Sequence, residues 1–186
     1  MSIALQQFPD QLACTLLKMD GVGIGPLLPE DVGALFTWTN DVETNALDLP
    51  HRPTDGIAFS GWLNGFATDL TRVLFVIRVA GTAQATGFLM LSNIHGVNRS
   101  ADLGIRIGRE GDRGRGIGTA AVVLGLRYAW DHLNLGRVQL RVLADNARAI
   151  RAYERAGFAI EGRHARAVYV GGGWHDSLTM AALSPR

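Results

Sequence analysis

The sequence predicts a mixed α/β fold of the α+β kind: a mostly antiparallel sheet of six to seven strands, flanked by helices and containing one central strand–helix–strand crossover. Four observations carry this. Arg72 to Ala80 is β-branched and aromatic, Gly81-Thr82 follows as a turn, and Gln84 to Ile94 continues as a partner run, which is the pattern of a hairpin. In Ala101 to Gly108, Ala101, Leu103, Ile105 and Ile107 alternate with Asp102, Gly104 and Arg106, so one face of a strand is buried. A Gly/Arg-rich turn, an apolar helix from about Gly116 to Asn134 and a strand from Arg137 to Leu143 come next, and the span 101–143 is long enough for a right-handed parallel crossover. Finally, runs at about 158–169 and 174–183 flank Gly171-Gly172-Gly173 as an antiparallel pair.

The remaining elements follow from local signals. Residues 13–19 read as a first strand. Pro29-Glu30-Asp31 opens a helix to about Asn40, with proline near the first helical position and acids where the dipole favours them. A second helix lies within 54–69. Gly136 stands where a C-cap of the long apolar helix is expected. The Asp145-Asn146 pair caps a further helix that ends before Gly157.

At 186 residues, 47% apolar and 19% charged, the chain is expected to be one globular domain, 1–186, with a core of ordinary size. No stretch has the uncharged apolar length of a membrane span, and the N-terminus lacks a signal-peptide pattern, so the expected address is cytoplasmic. One cysteine, Cys14, excludes an internal disulfide and a multi-cysteine metal site, and His51, His132, His164 and His175 have no metal-ligand spacing. Charge is divided unevenly. Between Arg99 and Arg166 thirteen arginines face seven acids, a balance of +6, whereas the rest of the chain carries five basic and ten acidic residues, −5. The C-terminal half therefore suits an anion and the N-terminal half a neutral or cationic partner. The acids Asp41, Glu43, Asp48 and Asp55, near Trp38 and Trp62, would line a cleft for a cationic amine or simply be solvated loop charges.

Arg113-Gly114-Arg115-Gly116-Ile117-Gly118-Thr119 lies between a strand and a helix. Glycines let consecutive N–H groups converge on an anion, the helix start adds positive potential, and two arginines add charge, so the turn suits a phosphate or pyrophosphate; a ligand-free tight turn is the bland alternative. It is not a Walker loop, because Gly116 is followed by Ile117 and not by lysine. Nor is it a dinucleotide fingerprint, because the glycines fall as G-x-G-x-G and the next strand ends Val142-Leu143-Ala144 without an acid.

Arg113-x-x-Gly116-x-Gly118 resembles the Gln/Arg-x-x-Gly-x-Gly/Ala signature of the GNAT superfamily of acyl-CoA N-acetyltransferases. Asn146-x-x-Ala149-x-x-x-Tyr153-x-x-x-Gly157-Phe158 resembles that family's second motif. Asn98 to Gly108, together with Gly173-x-x-Asp176-x-x-x-Met180, is similar to the branch that contains ribosomal-protein N-terminal and polyamine acetyltransferases. The resemblance spans roughly 13–183, with residues 13–80 on the acceptor side and 84–183 as the acetyl-CoA-binding core. Gly111-Asp112 before Arg113 departs from the acid or lysine and aromatic that many members carry.

The resemblance implies the GNAT fold and acetyl-CoA as co-substrate, with no metal. It places the pyrophosphate on backbone N–H groups from Arg113 to Thr119, that is Arg113, Gly114, Arg115, Gly116, Ile117, Gly118 and Thr119. It also implies a divergence of the strand holding Ile105 and Ile107 from the strand at 137–143, which frees backbone groups for the pantetheine arm, and an Asn146 bond to a pantetheine amide. Tyr153, two turns after Asn146 on nearly the same helix face, would protonate the departing thiolate; without the resemblance it reads rather as a core aromatic, with Asn146 as a helix cap. Asp102 is the expected base for the amine proton, acting through water, with His95 as competitor; Asp102 reads equally as a solvated strand carboxylate. Arg148, Arg151 and Arg155 read as solvated charges, one of them within reach of a CoA phosphate.

The expected function is acetyl transfer from acetyl-CoA to a primary amine, a protein N-terminus or a small molecule, by direct attack in a ternary complex. A non-catalytic acyl-CoA-binding or sensing module on the same fold is the alternative. Nucleic acid is disfavoured as a partner by the lack of a basic, aromatic strand face; no membrane partner is expected, and a homodimer is left open.

Overall fold

The structure, a computed structural model, describes residues 15–42, 52–82 and 84–185. Its elements are β1 (Leu17–Met19), β2 (Val22–Gly25), α1 (Val32–Asn40), α2 (Gly56–Thr68), β3 (Val73–Val79), β4 (Gly87–His95), β5 (Ser100–Ile107), α3 (Ile117–Asp131), β6 (Arg137–Leu143), α4 (Ala147–Arg155), β7 (Ala159–Val170) and β8 (Gly173–Leu183). Short 3-10 turns, Pro29–Asp31 and Glu110–Asp112, precede α1 and α3.

The strands form one sheet in the order β1-β2-β3-β4-β5-β6-β8-β7. Neighbours are antiparallel except β5 and β6, whose parallel pairing closes the expected crossover through α3. Eight strands are present where six to seven were expected. The difference arises at Asp20-Gly21, where both residues have positive φ (51° and 76°), the geometry of a two-residue hairpin turn; it returns the chain from β1 into β2. The first strand is correspondingly short: Leu17–Met19, and residues 13 and 14, with Cys14, lie outside the described residues. Helix α3 also ends differently. Asn134, not Gly136, takes the left-handed conformation (φ 52°), which a short polar side chain tolerates. Gly136 instead donates its N–H to the Arg99 carbonyl at 2.7 Å on the way into β6.

The two faces of the sheet carry separate cores. Leu89, Leu91, Leu103, Val138, Leu140 and Met180 pack with α3, and the partly buried Ala149, Ile150 and Tyr153 of α4 join them. On the opposite face Leu35 and Trp38 of α1 and Phe59 of α2 pack against Val76 and Phe88. A polar clamp holds this second layer. Arg78 on β3 is fully buried, and its Nη2 donates to Asp31 Oδ2 at 2.5 Å while Leu28 N donates to the same oxygen at 2.9 Å. Burial pushes the Asp31 carboxyl above its ordinary pKa, against the pull of the Leu28 N–H and the Arg78 guanidinium.

The feature that positions the site is a gap in the sheet. β5 and β6 pair only at Ser100–Arg137, Ala101–Val138 and Asp102–Gln139. Beyond Asp102, β5 stays with β4 as far as Ile107–Gly87, and β6 stays with β8 as far as Leu143–Ser177. The two halves of the sheet therefore splay, leaving a wedge bounded by inward edges that each lack a strand neighbour.

Candidate active site

The glycine-rich turn closes the wide end of the wedge. Gly114 and Gly116 have φ of 78° and 81°, values that a side chain at either position would strain, and Gly116 is the residue from which α3 springs. The first helical bond runs from Ala120 N to Gly116 O at 3.0 Å. The N–H groups of Ile117, Gly118 and Thr119 thus lie ahead of the helical ladder, at the positive end of a fifteen-residue helix. Arg113, Gly114, Gly116, Gly118 and Thr119 all border a cleft of about 1100 Å³. Two members of the segment do not. Arg115 turns to Asp112, with Nη1–Oδ1 at 2.9 Å, and the Ile117 side chain is buried in the core, so Arg113 is the segment's side-chain charge in the cleft.

Along the wedge the cleft is bordered by Ile105 and Ile107 of β5 and by Asn146 and Tyr153 of α4. Asn146 Oδ1 accepts from Ala149 N at 3.1 Å and caps α4; it both caps the helix and borders the cleft. Tyr153 packs its ring against Phe158, centroids 5.9 Å apart, and lies on the same helix face as Asn146. Arg148 and Arg155 also border the cleft, whereas the exposed Arg151 does not.

The two candidate bases separate clearly. Asp102 sits at the narrow end of the wedge and borders the cleft. Its Oδ2 accepts from Asn93 Nδ2 at 2.6 Å and its Oδ1 from Gln139 Nε2 at 2.8 Å. Asn93 reaches it because β4 is irregular between Ser92 and His95, and Asn93 itself has φ of 50°. His95, beyond that irregularity, pairs with Ser100 at the sheet end away from the glycine-rich turn. It is exposed, accepts from Asn98 N at 3.0 Å through Nδ1, and does not border the cleft. The irregularity carries it away from the wedge.

On the α1/α2 side the cleft is walled by Thr39, Arg52, Trp62, Phe88, Met90 and Arg106. The acidic lining expected there is not what the described residues provide. Asp55 caps α2, accepting from Ile57 N at 2.9 Å and Ala58 N at 2.8 Å; Asp41 follows α1 and does not border the cleft; Trp38 is buried; Glu43, Asp48 and His51 lie outside the described residues. Sequence reading missed Arg106, although its alternation with Ile105 and Ile107 already puts it on the strand's far face. Its Nη1 donates to Trp38 O at 3.2 Å and its guanidinium stands 5.6 Å from the Phe88 ring centre. It also missed Tyr169 and Trp174, which flank the Gly171–Gly173 turn and meet at the cleft mouth with centroids 5.4 Å apart.

Asp176 shapes that hairpin. It accepts from Arg166 N at 2.8 Å and from Arg163 Nε at 2.8 Å, bridging the irregular stretch of β7 between His164 and Val168. The Arg166 N–H and the Arg163 guanidinium hold its carboxyl below the ordinary range. The other histidines have structural partners: His132 packs on Tyr128, His164 Nε2 meets Thr179 Oγ1 at 2.8 Å, and His175 Nδ1 meets Asp145 Oδ2 at 2.8 Å. Among the described residues no group of three or more His, Cys, Asp or Glu could hold a metal ion, and no helix is long and apolar enough to cross a membrane.

The chain is 38% identical over 97 residues to the Bacillus subtilis (strain 168) protein named "Putative ribosomal N-acetyltransferase YdaF", covering 52% of each. It is 31% identical over 112 residues to spermidine N(1)-acetyltransferase of Escherichia coli (strain K12), covering 60% of this chain and 59% of that one. The chain thus spans between half and three fifths of the length of these relatives. In three dimensions it resembles spermidine N-acetyltransferase from Vibrio cholerae, solved in complex with CoA and spermine, with a TM-score of 0.80 at 23% identity over 89% of this chain and 96% of that one, a likeness of fold. The sequence profile described as "Acetyltransferase (GNAT) domain" matches residues 22–159, a stretch that holds β2 to β6, the glycine-rich turn and α4. By that match over most of its length, the chain belongs to the acetyltransferase (GNAT) domain family.

Proposed function

We propose that the chain transfers an acetyl group from acetyl-CoA to a primary amine by direct attack within a ternary complex. The observation that carries this is the continuity of one cleft from the start of α3, through the β5/β6 wedge, to the aromatic wall on the α2 side. The residues fit the co-substrate: unpaired N–H groups and Arg113 suit a pyrophosphate, and the inward edges of β5 and β6 suit the amide-bearing pantetheine arm. Asn146 keeps its amide NH2 as a donor toward that arm while its oxygen caps α4. Acetyl-CoA supplies an acyl group activated as a thioester.

The amine nitrogen forms the new C–N bond and the C–S bond breaks. Tyr153 supplies the proton that the departing sulfur needs; a phenol, pKa about 10, is a weaker acid than a thiol at about 8.5, so the transfer is uphill by about 2 kcal/mol and is drawn on by the collapse of the tetrahedral adduct as the C–S bond breaks. The proton lost by the amine passes through water to Asp102, whose carboxylate is held in place by Asn93 and Gln139.

Tyr153→Phe tests the donor: the ring and its packing on Phe158 remain, so acetyl-CoA affinity measured by calorimetry changes little, while turnover falls about 10²-fold, the usual scale for a lost general acid. Undiminished turnover, with chemistry rate-limiting, reassigns Tyr153 to packing. Acetyl-CoA binding without thiol release to any amine would identify the sensing module instead.

The base has its own signature. The rate is expected to rise with pH through one ionisation below the free amine's pKa; Asp102→Asn shifts or removes that limb, and His95→Gln, outside the cleft, leaves it in place. An unchanged profile in Asp102→Asn rules the carboxylate out.

A further inference from the structure

We infer that the acceptor is a monoamine whose body is apolar or aromatic and neutral or negatively charged, not a polycation; this rests on the transfer reading above. The acceptor half of the cleft is walled by aromatic side chains from four separate elements. Trp62 of α2 is set edge-on to Phe88 of β4, centroids 6.1 Å apart at 66°, and also to Phe66 at 5.1 Å and 86°, so its ring is fixed before any ligand arrives. Across the mouth, Tyr169 and Trp174 are 51% and 56% exposed, a large aromatic surface left in water next to a cleft. Such a wall gains most from covering an apolar or aryl group.

The charges point the same way. A polyamine needs carboxylates or unoccupied aromatic faces for its several ammonium groups. Among the described residues Asp102 is the one acid that borders the cleft, and both of its oxygens already accept from amides. Two aromatic faces suited to a cation carry guanidiniums of this chain: Arg106 stands 5.6 Å from the Phe88 ring centre, and Arg166 stands 5.9 Å from that of Trp174. The Arg166 position is built in, because Asp176 accepts its backbone N–H at the irregular turn of β7. Arg52, exposed at the cleft wall, adds a further positive charge. Extra ammonium groups would be repelled there, whereas a carbonyl or carboxylate on the acceptor body would meet guanidinium donors.

The test is thiol release by the full chain with acetyl-CoA and three acceptors: spermidine, phenethylamine, and a short peptide with phenylalanine at its free N-terminus and a free C-terminal carboxylate. The aryl monoamine, the peptide or both should exceed spermidine in kcat/KM by about tenfold or more, and which of the two is faster tells a small-molecule source from a peptide one. Trp174→Ala, at a half-exposed position and checked for folding by a thermal melt, should raise KM for the faster aryl acceptor more than it lowers kcat. Arg52→Glu should narrow the gap to spermidine. Spermidine used as well as or better than both aryl acceptors overturns the inference and leaves acetyl transfer standing. No thiol release with any amine, while calorimetry shows acetyl-CoA bound, overturns the transfer reading and this inference together.

Discussion

Gly118→Glu is expected to weaken acetyl-CoA binding about a thousandfold without unfolding the protein. A Cβ at this position would find the Ile107 Cγ1 atom at 3.8 Å, an ordinary contact, and an acid in the first turn of α3 is favourable for the helix itself. The same carboxylate stands in the mouth of the cradle, beside the N–H groups that lie ahead of the helical ladder. Two like charges about 4 Å apart at an effective dielectric constant of about 20 repel by about 4 kcal/mol, which corresponds to a factor of about 10³ in affinity. Gly118→Ala adds only the methyl and should retain most of the binding. Calorimetry with acetyl-CoA, beside a thermal melt of each variant, reads both effects. Unchanged affinity in a folded Gly118→Glu variant would mean that the anion binds elsewhere.

Asp31→Ala carries the largest expected loss of stability, about 3–5 kcal/mol, because it leaves the Arg78 guanidinium buried and without its counter-charge. Arg78 Nε already lacks a hydrogen-bond partner, so little remains locally to compensate. Replacing both partners, as Asp31→Leu with Arg78→Met, should recover most of the loss, since an apolar pair needs no desolvation of charge. Urea unfolding of the two variants separates the cases, and equal midpoints for Asp31→Ala and the unsubstituted chain would refute the clamp. The Pro29–Asp31 turn leads directly into α1, which carries Thr39 to the cleft wall. Near its midpoint, Asp31→Ala should therefore lose acceptor affinity before acetyl-CoA affinity.

What was legible in the sequence was local. β6 occupies the span expected of it, α4 starts at the Asn146 cap, and the β7/β8 turn falls on the glycine triplet, because period and turn chemistry act within a few residues. The placement of Asn146 and Tyr153 on one face of α4 was readable for the same reason. β2 was missed because Val-Gly-Ile-Gly is four residues long and half glycine, a composition that reads as turn; the Asp20-Gly21 turn was its available signal.

Tertiary structure alone decided the rest. Nothing near Asp102 in the chain announces that Asn93 and Gln139, nine positions before and thirty-seven after, will hold its two oxygens, or that a local irregularity will carry His95 away from the cleft. Nor does local pattern show that Arg115 will turn to Asp112 while Arg113 stays, or that Trp62, Arg106 and Trp174 will meet around one cleft. By itself the sequence determined which residues share a strand or helix face, because side-chain direction follows backbone period. Only the folded chain decided which faces confront one another and which charges find partners, since strand pairing joins residues whose separation along the chain carries no periodic signal.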